Sequence, residues 1–156
     1  MSVGYVFSSE GKAVDLETIY ELSPGLKAKS NIVRREFLFN PELYLYINDL
    51  SYSEYFKMPH YPLLIGRSSD LAFVAEIKKT KLEEAENVRL GKTVLPFGLE
   101  SAYGIFYALP THFTDTIPRK AVGVKPYLLM DEFFTYQGRC LYDEEMDWGV
   151  WLHGEE

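Results

Sequence analysis

Three histidines, one cysteine and two clusters of carboxylates are the side chains whose chemistry could support catalysis or metal binding. Cys140 has no second thiol with which to form a disulfide or a zinc site, and no nucleophile motif surrounds it. Adjacent carboxylates are more often solvated charge than an acid/base pair. The histidines lie far apart and show no ligand spacing such as H-x₃-H: they are His60, His112 and His153. We therefore predict no catalytic residue, no metal site and no cofactor.

Binding of an anionic partner is the other chemistry that the residue types allow. The stretch from Leu22 to Arg35 contains no acid and four basic side chains, and it forms a local basic strip in an acidic chain. A solvated loop is the alternative interpretation, because four cations in a short stretch are a weak electrostatic signal. The four basic residues are Lys27, Lys29, Arg34 and Arg35.

The net charge of −7 is unevenly placed along the 156 residues. Residues 131–156 hold eight acids against Arg139 alone, whereas residues 1–130 balance 15 basic against 15 acidic side chains. A hydrophobic content of 47% is enough for one compact core. No apolar stretch approaches the length of a membrane span, and the single cysteine fits a reducing compartment, so a cytoplasmic protein is expected.

Short alternating runs bounded by Pro, Gly and Asn indicate the elements that must position these residues. We predict a β-dominated α+β fold without a helix longer than three turns. In one predicted strand Leu43, Leu45 and Ile47 alternate with Tyr44 and Tyr46, giving an aliphatic and a tyrosine face. We expect this strand to pair with 37–39 as a hairpin. The other predicted elements are strands at 3–7, 13–22, 72–78, 93–97, 105–109, 126–130 and 132–136, and a helical turn at 52–56.

Two motifs in this order resemble a known family. They are SNIVRREFL at 30–38 and PLLIGRSSDLAFV at 62–74. Together they resemble the RAMP-type CRISPR-associated subunit that caps the 5′ handle of the guide RNA in type I Cascade complexes, the fifth-numbered Cas family, in a subtype close to I-B. The resemblance covers about residues 3–130 and implies a partial ferredoxin-like RNA-recognition sheet. Residues 131–156 lie outside the resemblance, and their acidic and aromatic residues predict a small β extension docked on the core or on a partner.

The resemblance also implies roles for individual residues. The basic strip would bind phosphates, and main-chain N–H groups at Gly66, Arg67, Ser68 and Ser69 would bind the handle. Tyr44 and Tyr46 would stack on splayed bases. Two structural alternatives stay open: Arg67 pairs with Asp70 to hold its own turn, and the tyrosines pack beneath a neighbouring loop.

Full members of that family begin with a strand–helix unit that has no counterpart before Met1. The resemblance therefore implies that a separate polypeptide or a neighbouring subunit completes the sheet. The expected partners are the guide RNA, the backbone and large Cascade subunits and, indirectly, target DNA. A standalone protein-interaction module is the alternative class, and a guide-RNA endoribonuclease using Tyr20, Lys27 or Lys29 is a third.

Overall fold

A computed structural model describes residues 1–22, 28–67 and 69–154. The chain divides into two compact units, one formed by Met1–Val6 and Tyr44–Glu156 and the other by Phe7–Leu43. The boundaries lie between Val6 and Phe7 and between Leu43 and Tyr44, so residues 131–154 belong to the same unit as residues 44–130. None of the helices in the described ranges has the length and hydropathy needed to cross a membrane.

The Phe7–Leu43 unit is a long antiparallel hairpin. Its strands are β2 (Gly11–Leu22) and β3 (Ala28–Phe39), which pair from Gly11 opposite Phe39 to Leu22 opposite Ala28. Residues opposite each other in such a pair share a face, and successive residues alternate between the two faces. The hairpin therefore presents two distinct sets of side chains.

The larger unit consists of short strands with little helix. The strands are β1 (Val3–Ser8), β4 (Glu42–Ile47), β5 (Leu63–Leu64), β6 (Leu71–Ala72), β7 (Glu83–Ala85), β8 (Val88–Gly91), β9 (Val94–Pro96), β10 (Ile105–Phe113), β11 (Ala121–Leu129), β12 (Phe133–Tyr136), β13 (Cys140–Asp143) and β14 (Trp148–Val150). The sheet partners are β1 with β4, β5 with β6, β8 with β12, β11 between β9 and β10, and β13 between β7 and β14. A 3₁₀ turn (Leu50–Tyr52) and the five-residue α1 (Ser53–Lys57) follow β4.

Two hydrophobic clusters hold this unit together. One contains Leu90, Leu95, Leu128 and Met130 from β8, β9 and the end of β11. The other joins Val6 of β1 to Trp148 and Val150 of β14, and so brings the first strand of the chain against its last. Trp148 and Val150 of the acidic segment are thus buried in this cluster, and Phe133, Leu141, Met146 and Leu152 of the same segment pack against it while partly exposed.

The β-dominated prediction is confirmed, and several predicted strands lie where the patterns placed them. The predicted pairing of 37–39 with 43–47 is wrong, because β3 pairs with β2 and β4 pairs with β1. The strand predicted over 72–78 is also wrong: β6 ends at Ala72, and residues 73–82 have no regular structure. Cys140 is buried, and burial raises the pKa of its thiol above the usual value.

Leu90→Ala should lower the free energy of unfolding by about 2–5 kcal/mol, because Leu90 is fully buried at the centre of its cluster and its truncation leaves a cavity. Leu71→Ala is the matched control, since Leu71 is 74% exposed and should change stability by less than about 0.5 kcal/mol. Urea unfolding followed by tryptophan fluorescence measures both. Equal losses for the two variants would contradict the assignment of the core.

Candidate nucleic-acid interface

The two arginines of the basic strip lie on opposite faces of the β2–β3 hairpin. Arg34 is opposite Leu16 and Arg35 is opposite Asp15. They are neighbours in a strand, so their side chains cannot act on one surface together. Each face therefore has to be assessed by itself.

The Arg35 face is electrostatically balanced. The Nη1 atom of Arg35 lies 2.9 Å from Oε2 of Glu17, and both side chains are partly buried. Asp15 is a second carboxylate on this face, directly across from Arg35. A guanidinium already matched by carboxylates has little net attraction for a phosphate.

The Arg34 face differs in that it carries exposed apolar side chains. We define the Arg34 face as Val14, Leu16, Tyr20, Ile32 and Arg34; the exposed carboxylate of Glu36, opposite Val14, lies at its edge. Leu16 and Ile32 are each 68% exposed and Tyr20 is 72% exposed. Arg34 is itself exposed and forms no ion pair with any residue in the described parts of the chain. This face offers an exposed guanidinium, an aromatic ring and aliphatic surface, with one carboxylate two residues from the arginine.

Three of the predicted contact residues lie wholly or partly outside what the structure describes. Lys27 and Ser68 are outside the described residues. For Lys29 only the backbone is described, which pairs with Glu21 in the hairpin register. Their predicted contacts with RNA stay predictions.

The loop between β5 and β6 is held by its own aspartate. Asp70 accepts a hydrogen bond from the backbone N–H of Arg67 at 3.1 Å, and its Oδ2 lies 3.6 Å from Nε of the same arginine. Ser69 donates its hydroxyl to the other carboxylate oxygen at 3.3 Å. Gly66 supplies the backbone conformation of the turn, with a φ of 101°. The Asp70 carboxylate occupies the position that an anionic ligand of this turn would take, which favours the structural alternative for Arg67.

Tyr44 and Tyr46 pack inside the larger unit. The Tyr46 hydroxyl donates to Oδ2 of Asp143 at 3.0 Å and accepts from Nε1 of Trp148 at 2.9 Å. Tyr44 contacts the Trp148 ring edge-on, with 5.0 Å between ring centroids. Burial, reinforced by the nearby Asp143 charge, raises the pKa of Tyr46 far above its usual value. These contacts favour the structural alternative for both rings.

The opposite face of β4 is the exposed one. Leu43 is 43% exposed and Leu45 is 41% exposed, although a leucine face is the expected core face of a strand. In the segment that follows, Tyr52, Tyr55, Phe56 and Leu63 line an apolar hollow. Exposed apolar surface of this kind is typical of interaction sites. The sequence alone did not reveal it, because the alternation of residues in β4 is compatible with either face being buried.

The three histidines remain separate in the structure. His153 contacts the carbonyl oxygen of Val94 at 2.9 Å, whereas His60 packs against Tyr61 and His112 contacts Thr111. Within residues 1–22, 28–67 and 69–154 no cluster of three or more potential metal-ligating side chains is found. Comparisons with protein-family models, with curated proteins and with solved structures find no match to this chain.

Tyr46→Phe should lower the free energy of unfolding by about 1–3 kcal/mol, because it removes the hydroxyl that donates to Oδ2 of the buried Asp143 carboxylate and accepts from the Trp148 N–H. Tyr142→Phe is the matched control: it also removes a tyrosine hydroxyl from an aspartate, here Asp147, but at an exposed site. Its cost should stay below about 0.5 kcal/mol. Denaturant unfolding of the two variants at neutral pH makes the comparison.

The same tyrosine should make the protein sensitive to alkali. A hydroxyl whose pKa is higher in the folded state keeps its proton after the unfolded chain has lost it, so stability falls as the pH rises above about 10. In Tyr46→Phe the decline of the unfolding free energy between about pH 10 and 11 should be shallower than in the wild type. Parallel declines in the two proteins would contradict the burial of this hydroxyl.

Proposed function

We propose that this chain is a non-catalytic, RNA-binding and assembly subunit of a type I CRISPR surveillance complex, which binds the 5′ handle of the guide RNA. The observation that carries the proposal is the Arg34 face, where a guanidinium without an ion pair among the described residues lies opposite Leu16 and two residues from Ile32, with the exposed ring of Tyr20 farther along the same face. The motif resemblance at 30–38 and 62–74 supplies the family context.

The chemistry of the Arg34 face suits single-stranded RNA. Proteins bind such RNA by placing cations on phosphates and by stacking aromatic rings on unpaired bases. Arg34 supplies the first type of contact and Tyr20 the second, while Leu16 and Ile32 provide apolar surface against which a base or sugar can pack. A carboxylate-rich protein partner would match the arginine but would leave this apolar surface unused.

The total charge of the chain does not decide this proposal, because interactions between exposed charges are screened beyond a Debye length of about 8–10 Å. The charge within that distance of the RNA therefore matters more than the sum over the chain.

The assembly role rests on exposed apolar surface. In the segment after β4 several large apolar side chains are exposed, among them Met58 (83% exposed), Tyr61 (74%) and Phe73 (87%). In the proposal this surface contacts other subunits of the complex, in a cytoplasmic assembly whose contact with target DNA is indirect.

A standalone protein-interaction module is the second candidate, and the same exposed apolar surface favours it. The two candidates differ in whether RNA binds. The endoribonuclease alternative, with Tyr20, Lys27 or Lys29, stays a prediction. The proposal contains no cleavage step, because the sequence shows no acid/base or ligand spacing.

Arg34→Ala should weaken binding of a single-stranded oligoribonucleotide of about 16 nucleotides by on the order of tenfold. The slope of log affinity against log salt should fall by about 0.7, the value of one phosphate contact. Arg35→Ala is the matched control, because its guanidinium is already paired with Glu17. Fluorescence anisotropy over a salt series measures both the affinity and the slope.

Two results would count against the proposal. If the wild-type chain fails to bind the oligoribonucleotide at low salt, the protein-interaction module becomes the better reading. If Arg35→Ala and Arg34→Ala lose affinity equally, the Arg34 face is not the contact surface. Circular dichroism of each variant checks that the hairpin has kept its strand content.

A further inference from the structure

The strand pair formed by β10 and β11 carries basic residues at its tip. Its outer half pairs Pro110 with Val124 and Phe113 with Ala121, and there the two strands have only each other as sheet partners among the described residues. Most side chains on both faces of this half are exposed. We call the pair the β10–β11 ribbon, and we define the ribbon tip as Phe113, Ile117, Arg119 and Lys120.

The charge of this region is opposite to that of the chain. Between residues 101 and 130 the only acid is Asp115, against Arg119, Lys120 and Lys125. Arg119 and Lys120 are exposed, and neither side chain forms an ion pair within the parts of the chain that the structure describes. Two adjacent unpaired cations on an otherwise acidic protein create a local positive potential at the ribbon tip.

Exposed apolar groups accompany these cations. Phe113 is 57% exposed and Ile117 is fully exposed. Tyr107, which is 45% exposed, lies on the same face of β10 as Phe113, because the two are six residues apart in one strand. At about 3.3 Å per residue the two rings are separated by about 20 Å. A single strand of nucleic acid running along this face could meet both rings. The two cations follow in the loop at the end of this face, with Lys120 opposite Thr114, so the nucleic acid would meet them by passing around the tip.

Hydrogen bonds within the loop fix the position of the basic pair. The backbone N–H of Thr114 donates to the carbonyl of Lys120 at 2.9 Å, and the N–H of Lys120 donates to the Thr114 hydroxyl at 3.0 Å. The hydroxyl of Thr116 donates to the carbonyl of Pro118 at 3.3 Å. A loop that is already ordered loses less conformational entropy when it binds a ligand.

We propose that the ribbon tip is a contact site for single-stranded nucleic acid, in which Arg119 and Lys120 bind phosphates and Phe113 stacks on a base. The inference rests on the proposed RNA-binding function and adds a second surface to the Arg34 face. An acidic protein would match the cations alone, whereas nucleic acid matches both the cations and the exposed ring.

The test compares three variants of the full chain for binding to the fluorescein-labelled oligoribonucleotide of about 16 nucleotides. The double charge reversal Arg119→Glu with Lys120→Glu should lose at least about tenfold in affinity, and its salt slope should fall by about 1.4. Phe113→Ala should lose about tenfold in affinity with an unchanged salt slope, because stacking releases no counterions. The control is Lys57→Glu with Lys81→Glu, which changes the total charge equally but at cations already paired with Glu54 and Glu83.

The outcomes separate this inference from the proposed function. If the control double variant loses as much affinity as the double charge reversal at the tip, the ribbon tip is not a site. If the tip variants bind RNA like the wild type while Arg34→Ala is impaired, the ribbon tip is again not a site, and the proposed function stands. If the tip variants lose RNA and Arg34→Ala does not, the site stands and the Arg34 face falls. A chain that binds no RNA at all overturns both. Loss of poly-glutamate binding without loss of RNA binding in the tip variants would assign the tip to an acidic protein.

Discussion

The buried carboxylate of Asp143 is the constraint on which the arrangement of the larger unit depends. Only 1% of this residue is exposed, and the backbone N–H groups of Glu145 and Met146 share it with the Tyr46 hydroxyl. Tyr46 lies 97 residues earlier in the chain, so this hydrogen bond ties β4 to the turn between β13 and β14. A buried charge without partners would be very costly, and the tyrosine face of β4 must therefore turn inward. The leucine face consequently turns outward.

Stability and recognition are thus carried by different parts of the chain. The two hydrophobic clusters and the Tyr46–Asp143–Trp148 hydrogen bonds involve residues that are buried or half-buried. The β2–β3 hairpin and the outer half of the β10–β11 ribbon contribute little to those clusters, yet they carry the exposed cations and rings. Substitutions on their surfaces can alter binding without a large loss of stability, which is why single side chains on them are informative.

The sequence predicted strands such as Val3–Ser8, in which buried residues alternate, and Phe133–Tyr136, in which aromatic residues favour β structure. It did not predict that β3 extends back to Ala28, because an exposed two-stranded hairpin has no core to impose alternation on its residues. The separation of Arg34 from Arg35 follows directly once that strand is known. The inward orientation of Tyr46 depends on Asp143, a partner far away in the sequence, and no local pattern contains it. Short β7 and β8 were missed within a charged segment that offers only three or four residues each.

The β2–β3 hairpin leaves and re-enters the larger unit through the two paired strands β1 and β4. An excursion that begins and ends on adjacent strands can grow or shrink without moving the core, and the entropic cost of a longer loop rises only slowly with its length. Pairwise gains or losses in both strands preserve which residues share a face, whereas an odd change in one strand inverts them. Related chains should therefore differ by an even number of residues in each strand of this hairpin. Such evolutionary length variation changes the position of the arginine along the hairpin but leaves the residues of the larger unit unchanged.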